Sequence, residues 1–523
     1  MSDRYDAVIV GGGHNALVSA AYLARSGFRV IVLERLDHLG GAAVSERPWP
    51  GVDARLSRYS YLVSLLPRRI IDDLGLELSL RRRRYASYTP DPADPSRGVL
   101  IDTMDAAATT AGFTRTTGDD AEAGRYARFG ARLRPFAEAV FPTMTDPLPR
   151  AATVRERLAD DALWDGLTAR PLGELIRDGL ASDLARGIAL TDGLIGTFAA
   201  ADDPSLRQNR CFAYHVIGGG TGDWDVPVGG MGSVSAALER AARDAGADLR
   251  TRAAVTAISP DGEVTLADGG VVHGRVVLSG VGPTVLADLL RAGRAEVDAP
   301  APPDGAQVKI NMLLRRLPRL RDETVTAEAA FAGTFHVNET LTQLDAAHAT
   351  AADGGIPDPL PVEIYCHSLT DPSILGPGLR ASGAHTLTLF GLQVPHRLTR
   401  GADPDALRAD LLAAATRSLD AVLAEPLEDC LYEAPDGSPC IEARTTADLE
   451  NALGMAGGDI FHGALDWPWA DDDAELSTAA QRWGVATAHD RVLLCGSGAR
   501  RGGAVSGIAG HNAAMAAREL LAR

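Results

Sequence analysis

The sequence predicts an α/β fold in which a discontinuous domain on a parallel sheet is assembled from three separated segments, with an α+β domain inserted between them. Three observations carry this expectation. A strand, glycine turn, helix and second strand open the chain; a glycine-led helix, a strand and a β-meander lie mid-chain; a further glycine-rich strand-to-helix turn follows residue 490. In the first unit, Asp6 to Val10 reads as a short buried strand, Gly11-x-Gly13-x-x-Ala16 as a tight turn, and His14 to Ser26 as a helix of small and apolar residues closed by Gly27. Arg29 to Leu33 is then a second apolar strand that delivers Glu34. An acid at that offset accepts hydrogen bonds from ribose hydroxyls, while the helix N-terminus and the close-approaching backbone at Gly13 favour a pyrophosphate. The unit therefore reads as a site for an adenine dinucleotide. A carboxylate at Glu34 repels a 2′-phosphate, which disfavours NADP. Asn15 lies inside the turn and belongs to the same site.

Ala7 to Ala24 is apolar enough to imitate a signal-peptide core or a short membrane span. Gly11-Gly12-Gly13-His14-Asn15 breaks such a helix, Asp3 and Asp6 precede it beside Arg4, and no cleavage pattern follows. In a chain of 523 residues no other apolar run reaches the length of a span, so a soluble, cytoplasmic protein of two or three structural units is expected. A net charge of −18 argues against nucleic acid or an anionic membrane as main partner. The five cysteines include no CxxC and no metal-ligand spacing, which excludes a dithiol reductase and a zinc site. Arginine replaces lysine almost everywhere: Lys309 is the only lysine.

The second segment begins at Pro227-Val-Gly-Gly-Met-Gly232, where Ser233 is placed to cap a helix to Ala245, with a strand near Asp248 to Thr251. A meander follows over Ala254 to Ile258, Val264 to Leu266 and Val271 to Leu278, punctuated by Pro260-Asp-Gly262 and Asp268-Gly-Gly270. The third segment has a strand at Arg491 to Cys495, then Gly496-Ser-Gly498 and Gly502 to Gly507, then a helix from Ile508 to Leu521. The expected division is 1–75, 225–300 and 485–523 for the nucleotide domain, and 76–224 with 301–484 for the substrate domain. Within the insertions, helices are expected over Ala121 to Val140, within Pro171 to Ala199 and over Asp405 to Leu423; strands are expected over Gln307 to Leu314, Val362 to His367 and His385 to Val394. Gly218 to Gly222 and Gly280-Val-Gly282 read as turns, leaving a single dinucleotide site.

Together, the GxGxxA turn, Glu34, the following Arg35-x4-Gly40-Gly41, the central helix and meander, and the late glycine-rich helix resemble the FAD oxidoreductases that include phytoene desaturases, carotenoid isomerases and amine oxidases. Gly40-Gly41-Ala-Ala-Val-Ser-Glu46, Ser60 to Leu66, Gly457 to Gly463 and Gly496 to Gly507 are most similar to the phytoene-desaturase-like branch that holds pyridine nucleotide-disulfide oxidoreductase domain-containing protein 2. The resemblance implies a glutathione-reductase-type FAD-binding Rossmann domain and noncovalent FAD. It further implies Glu34 on the adenosine ribose, Arg35, Gly40, Gly41 and Ala42 near the pyrophosphate and flavin, and the backbone of Val255 beside the adenine. Gly496, Gly503, Val505 and Ser506 would meet the flavin end. Ala42 stands where amine oxidases often carry arginine, a departure that weakens the case for aromatic-cage amine chemistry.

FAD carries the redox chemistry, so the protein must place the substrate and manage protons. Lys309, in the apolar run Gln307-Val-Lys-Ile-Asn-Met312, is the leading catalytic candidate; the resemblance implies a lysine that holds a water near the flavin, and the alternative is a snorkelling strand-end residue. His462 and His215 are candidates for the substrate wall, or else hydrogen-bonded core histidines. Asp223-Trp224-Asp225 is either a substrate contact or a loop end. Arg500, with Arg501, would bind an acidic group or the reduced flavin, or would pair with carboxylates. Arg81 to Arg84 reads as a solvated face, and Tyr61 to Leu66 with Arg68 and Arg69 as at most a greasy entrance near a membrane. The expected reaction is introduction of a double bond into a largely apolar or secondary-metabolite substrate by hydride transfer, with oxygen or a quinone as acceptor. Polyene isomerisation, amine oxidation and a low-turnover flavin-bearing interaction protein are the alternatives.

Overall fold

The computed structural model describes residues 3–63, 65–220, 224–298 and 300–522, so Ser64, Thr221, Gly222 and Asp223 of the runs above lie outside it. The opening strand Asp3–Val10 is central to a seven-stranded sheet. It pairs in parallel with Val30–Leu33 on one side and Val271–Ser279 on the other. Asp248–Arg250 extends the first side and Val492–Leu494 the second, again in parallel. The meander Val255–Ile258, Glu263–Leu266 and Val271–Ser279 joins antiparallel. Strands are thus added on opposite sides of the parallel pair Asp3–Val10 and Val271–Ser279, and the turns leaving these two strands, at Gly11 and Gly280, flank a crevice where open α/β sheets bind ligands.

Small residues let the layers approach. The helix His14–Arg25 is buried on nearly every face, with the sheet beneath it and the helix Ile508–Leu521 above. A Cβ at Gly510 would stand 1.9 Å from the carbonyl oxygen of Asn15, and Ser19 Oγ donates to Gly510 O at 2.7 Å, so the two helices meet at backbone distance. A Cβ at Gly280 would lie 3.2 Å from that of Ala16, which shows why a small residue is needed there. The mid-chain helix runs Met231–Asp244 with Gly230 at its N-cap; Ser233 does not cap it, because its hydroxyl turns back to Gly230 O instead.

A second seven-stranded sheet has the order Ile441–Arg444, Ala306–Leu314, His385–Pro395, Val362–Tyr365, Thr334–Val337, Tyr85–Asp91, Asp94–Asp102. All its pairings are antiparallel except Thr334–Val337 with Tyr85–Asp91. Ala306–Leu314 is buried at every position, so Lys309 emerges mid-strand in a setting otherwise apolar or amide-bearing. Helices Glu122–Val140, Leu172–Gly179 and Asp183–Thr191 share an apolar core with Arg207–Val216, and Pro404–Val422 packs on the sheet. No helix among the described residues is long and apolar enough to cross a membrane. Leu62, Leu65 and Leu66 are buried, so the greasy surface expected around Tyr61 to Leu66 is turned inward.

Candidate active site

A cavity of about 290 Å³ opens at the crevice between the two glycine turns and runs to the second sheet. Gly11, Gly13, Asn15, Ala16, Glu34, Arg35, Gly41, Ala42 and Val255 line one part of it; Gly496, Gly503 and Val505 line another. Gly280, Val281 and Gly282 also line it, so a run read as a mere turn shares the site, where Gly282 caps the helix Pro283–Ala292. Gly11 takes φ +88, a conformation open to glycine, and turns the chain into the helix N-terminus at Gly13. A Cβ on Gly13 would meet nothing within 4 Å, and the residue pairs with Gly40 through an isolated parallel bridge. Open space beside a helix N-terminus is a setting that favours an anion.

Glu34 is buried and does more than face the cavity. Its Oε2 accepts from Gly12 N at 2.6 Å and its Oε1 from Leu36 N at 2.8 Å, so the carboxylate ties the first turn to the second strand. Arg35 reaches across to donate to Ala452 O at 2.6 Å. Gly40 and Ser506 do not reach the cavity wall. A Cβ on Gly40 would instead run into Ser235 at 2.9 Å, and Ser506 Oγ accepts from Ile508 N at the start of the last helix.

Three wall residues carry buried polar atoms with no protein partner: His14 Nε2, both amide atoms of Asn15, and His462 Nδ1. Burial holds both histidines at about 4, far below the usual imidazole range, so both rings are neutral near pH 7. His462 sits in the left-handed region at φ 63, held by its N–H on Asp459 O at 3.0 Å. His215 donates its Nδ1–H to Cys211 O at 2.9 Å and stacks on Trp224 at 4.9 Å.

Lys309 is 2% exposed and lines the cavity. Its Nζ donates to Ser57 O at 2.9 Å and to Tyr59 O at 2.6 Å, and lies 5.1 Å from the Phe390 ring centre and 5.7 Å from that of Tyr61. Desolvation pushes its amine well below the ordinary lysine range. The snorkelling, strand-end alternative is thereby overturned. Arg500 departs from expectation in the other direction. It is absent from the cavity wall, donates to Trp469 O and lies 3.8 Å from Asp466, because the turn at Arg501, with φ 67, swings both arginines away. Arg501 is 1% exposed and spends its guanidinium on the carbonyls of Thr143, Asp146 and Trp483.

The family described as NAD(P)-binding Rossmann-like domain matches residues 9–67, and that described as Flavin containing amine oxidoreductase matches residues 63–316. An uncharacterized protein of Mycobacterium tuberculosis is 53% identical over 538 residues, covering 100% of this chain and 99% of that protein. Pyridine nucleotide-disulfide oxidoreductase domain-containing protein 2 of Rattus norvegicus is 30% identical over 571 residues, covering 98% of this chain and 93% of that protein. The chain belongs to the amine-oxidase superfamily of FAD-dependent oxidoreductases. It is an oxidoreductase enzyme, and FAD is its cofactor. Cyclohexylamine oxidase from Brevibacterium oxydans IH-35A has the same fold, with a TM-score of 0.57 at 15% identity over 99% of this chain and 100% of that one. The glycine cradle, the carboxylate at Glu34 and the unpartnered atoms of His14 and Asn15 fit such a group.

Phe390 beside Lys309 and Tyr214, which sequence reasoning passed over, complete the wall, together with Tyr61 near Lys309 and Trp224 against His215, which stood inside runs read for other roles or as a substrate contact or loop end. Tyr61 stood inside a quoted motif, but nothing in its spacing marked it as a neighbour of Lys309, 248 positions away.

Proposed function

We propose that this enzyme introduces a double bond into a largely apolar small molecule or secondary metabolite, with oxygen or a quinone as the final electron acceptor. The observation that carries this reading is the part of the cavity around Lys309, walled by Tyr61, Leu62, Leu65, Ile195, Phe390 and Ile460. An apolar wall of this kind excludes water and suits an apolar substrate body. Gly11, Gly13, Asn15, Ala16, Glu34, Arg35 and Val255 would hold the AMP half of FAD; Gly41, Ala42, Gly496, Gly503 and Val505 would hold the flavin half. FAD, when bound, supplies hydride acceptance.

The chain's own residues would orient and manage protons. Lys309 has two N–H groups committed to carbonyls, which fixes its nitrogen at the wall, and as a desolvated amine it suits holding a water or accepting a proton. His462, a neutral ring, and His215, held by its ring N–H on Cys211 O, border the same space. Arg500 is left out of this reading, since its side chain lies elsewhere. The strand order supports a glutathione-reductase-type nucleotide domain over 1–75, 225–300 and 485–523, with 76–224 and 301–484 as the substrate domain, and a cytoplasmic location is part of the same proposal.

Amine oxidation is the second reading, favoured by the flavin amine oxidoreductase match. Anaerobic mixing of the purified, yellow protein with terpenoid or polyene hydrocarbons, and separately with alkylamines, tests both. Bleaching of the visible flavin band by the former, with a product lighter by two hydrogens, is the expected result. Bleaching by amines alone overturns the first reading in favour of the second, and a product of equal mass points to isomerisation.

A further inference from the structure

Tyr61, Leu62, His215 and Trp224 have a second face. They also line a separate cavity of about 250 Å³, and the character of that cavity is different. Where the first is walled mainly by apolar side chains around Lys309, the second presents Arg83, Asp192, His336 and Glu363.

Glu363 belongs to Val362–Tyr365, a strand buried at every position, and is itself 3% exposed. Its Oε1 accepts from the hydroxyl of Tyr365, and its Oε2 has no partner. Arg83 turns inward from an otherwise solvent-facing arginine run. Its NH1 donates to Thr334 Oγ1 at 3.3 Å, its guanidinium lies 5.6 Å from the Tyr365 ring centre, and its Nε–H has no partner. Behind the wall, Glu339 accepts from the Thr191 hydroxyl at 2.6 Å through one oxygen and leaves the other unpartnered. His336 is held through Nδ1 on Thr89 Oγ1 at 3.0 Å. Buried polar atoms in folded proteins are almost always hydrogen-bonded, so an unpartnered oxygen and an unpartnered N–H on two residues that line one chamber point to a ligand group that can serve both.

Charge narrows the group. A cation entering here meets the fixed guanidinium of Arg83, and a carboxylate would join the carboxyl groups of Asp192 and Glu363, with Glu339 behind the wall. Burial raises all three acids, Glu363 to about 8, so at neutral pH the unpartnered Oε2 of Glu363 is the O–H or the C=O of a neutral carboxyl, and a hydroxyl can pair with either. A neutral hydroxyl donates to one oxygen and accepts from one N–H at no Coulombic penalty.

We propose that this chamber takes the hydroxyl-bearing end of an uncharged amphipathic substrate, whose apolar body passes the wall shared by Tyr61, Leu62, His215 and Trp224 into the larger cavity. The inference rests on the small-molecule oxidoreductase reading above and narrows its substrate class to alcohols with an extended apolar portion.

Titration of 1-octanol, octylamine and octanoate into the purified full-length holoenzyme, followed by calorimetry, tests it. The expected result is tightest binding of the alcohol, by tenfold or more over either charged probe. Glu363→Leu should weaken octanol at least tenfold, while Glu363→Gln, uncharged and of the same size, should hold it within about threefold. Tighter binding of octylamine or octanoate, no binding of octanol, or an unchanged octanol affinity in Glu363→Leu would overturn the proposal. The preference among the three probes is read on the wild-type protein, so it stands even if a variant fails to fold. Flavin bleaching separates the two readings: bleaching by hydrocarbons without an alcohol preference sinks only this inference, whereas an alcohol preference without bleaching by any hydrocarbon or hydroxyl-bearing terpenoid or polyene sinks only the desaturation reading.

Discussion

Glu34 Oε2 accepts the backbone N–H of Gly12 at 2.6 Å, so the acid that closes the second strand is also the clamp on the first glycine turn. The carboxylate thus has two duties, one toward the polypeptide and one toward the proposed ribose. Glu34→Ala leaves the amides of Gly12 and Leu36 without their acceptor. The expected outcome is a loss of about 1.5–3 kcal/mol in folding stability together with at least tenfold weaker FAD retention. Thermal melts and flavin content after dialysis check both; retention of flavin at wild-type levels would remove Glu34 from the site.

Gly12 and Gly13 are neighbours with opposite surroundings. A Cβ on Gly12 would stand 2.4 Å from Leu39 Cδ2, whereas one on Gly13 would enter open space. Gly12→Ala is therefore expected to destabilise the protein by about 1–3 kcal/mol through overpacking. Gly13→Ala should leave the melt of the flavin-free protein nearly unchanged while weakening FAD, because its methyl occupies the cradle. Equal melting losses in the two variants would show that the cradle is ordinary core.

For Lys309→Met, flavin reduction or reoxidation in stopped-flow experiments should slow at least tenfold. Ser57 O and Tyr59 O lose their donor, which costs about 1–3 kcal/mol, partly offset because a desolvated amine leaves the interior. Wild-type rates in both half-reactions would make this lysine purely structural.

Arg500 and Arg501 separate in the same manner. With its side chain on Trp469 O and outside the cavity, Arg500→Met should leave both half-reactions within about twofold. Arg501→Met strands three carbonyls and should cost about 2 kcal/mol or more. A large kinetic defect in the Arg500 variant with normal stability would return that residue to the catalytic set.

The polar chamber also sets a pH dependence of stability. His336 is held at about 3 by burial, below its unfolded value of 6.5, so the unfolded chain binds the extra proton and stability falls as pH drops from 6.5 toward 3. Glu363 is raised from 4.5 to about 8, so the folded chain keeps a proton the unfolded chain has released, and stability falls as pH rises from 4.5 toward 8. The two windows overlap between pH 4.5 and 6.5, where the opposing slopes cancel, so these two groups give a melting temperature that is flat there and falls on either side. Glu363→Gln should flatten the alkaline limb alone; an unchanged limb would assign it to other groups.

The first sheet was legible because Asp3–Val10, Val30–Leu33 and Val271–Ser279 hold apolar runs, a glycine turn follows the first and the last of these, and the meander carries two turn signals. Second-sheet strands were read less completely. Tyr85–Asp91 and Asp94–Asp102 hide behind proline and aspartate, and Ile441–Arg444 is only half-buried, so neither alternation nor an apolar run marks them. Local motifs pointed to the glycine turns and Glu34, since a phosphate cradle is built from neighbouring residues, whereas Val255 came only through the family resemblance. Arg83, Asp192 and Glu363 meet only through tertiary folding. One signal was available: a glutamate inside Val-Glu-Ile-Tyr, where a buried strand has little tolerance for a carboxylate. Arg500 failed for a local reason, since the backbone at Arg501 adopts a left-handed conformation that no side-chain pattern announces.

A chain with one lysine, and that lysine at the wall of the cavity, carries its own reporter. Protein grown on lysine labelled with ¹³C at the ε carbon gives a single side-chain resonance with no assignment needed. Its shift follows the protonation of one nitrogen directly, through each stage of cofactor loading and substrate binding.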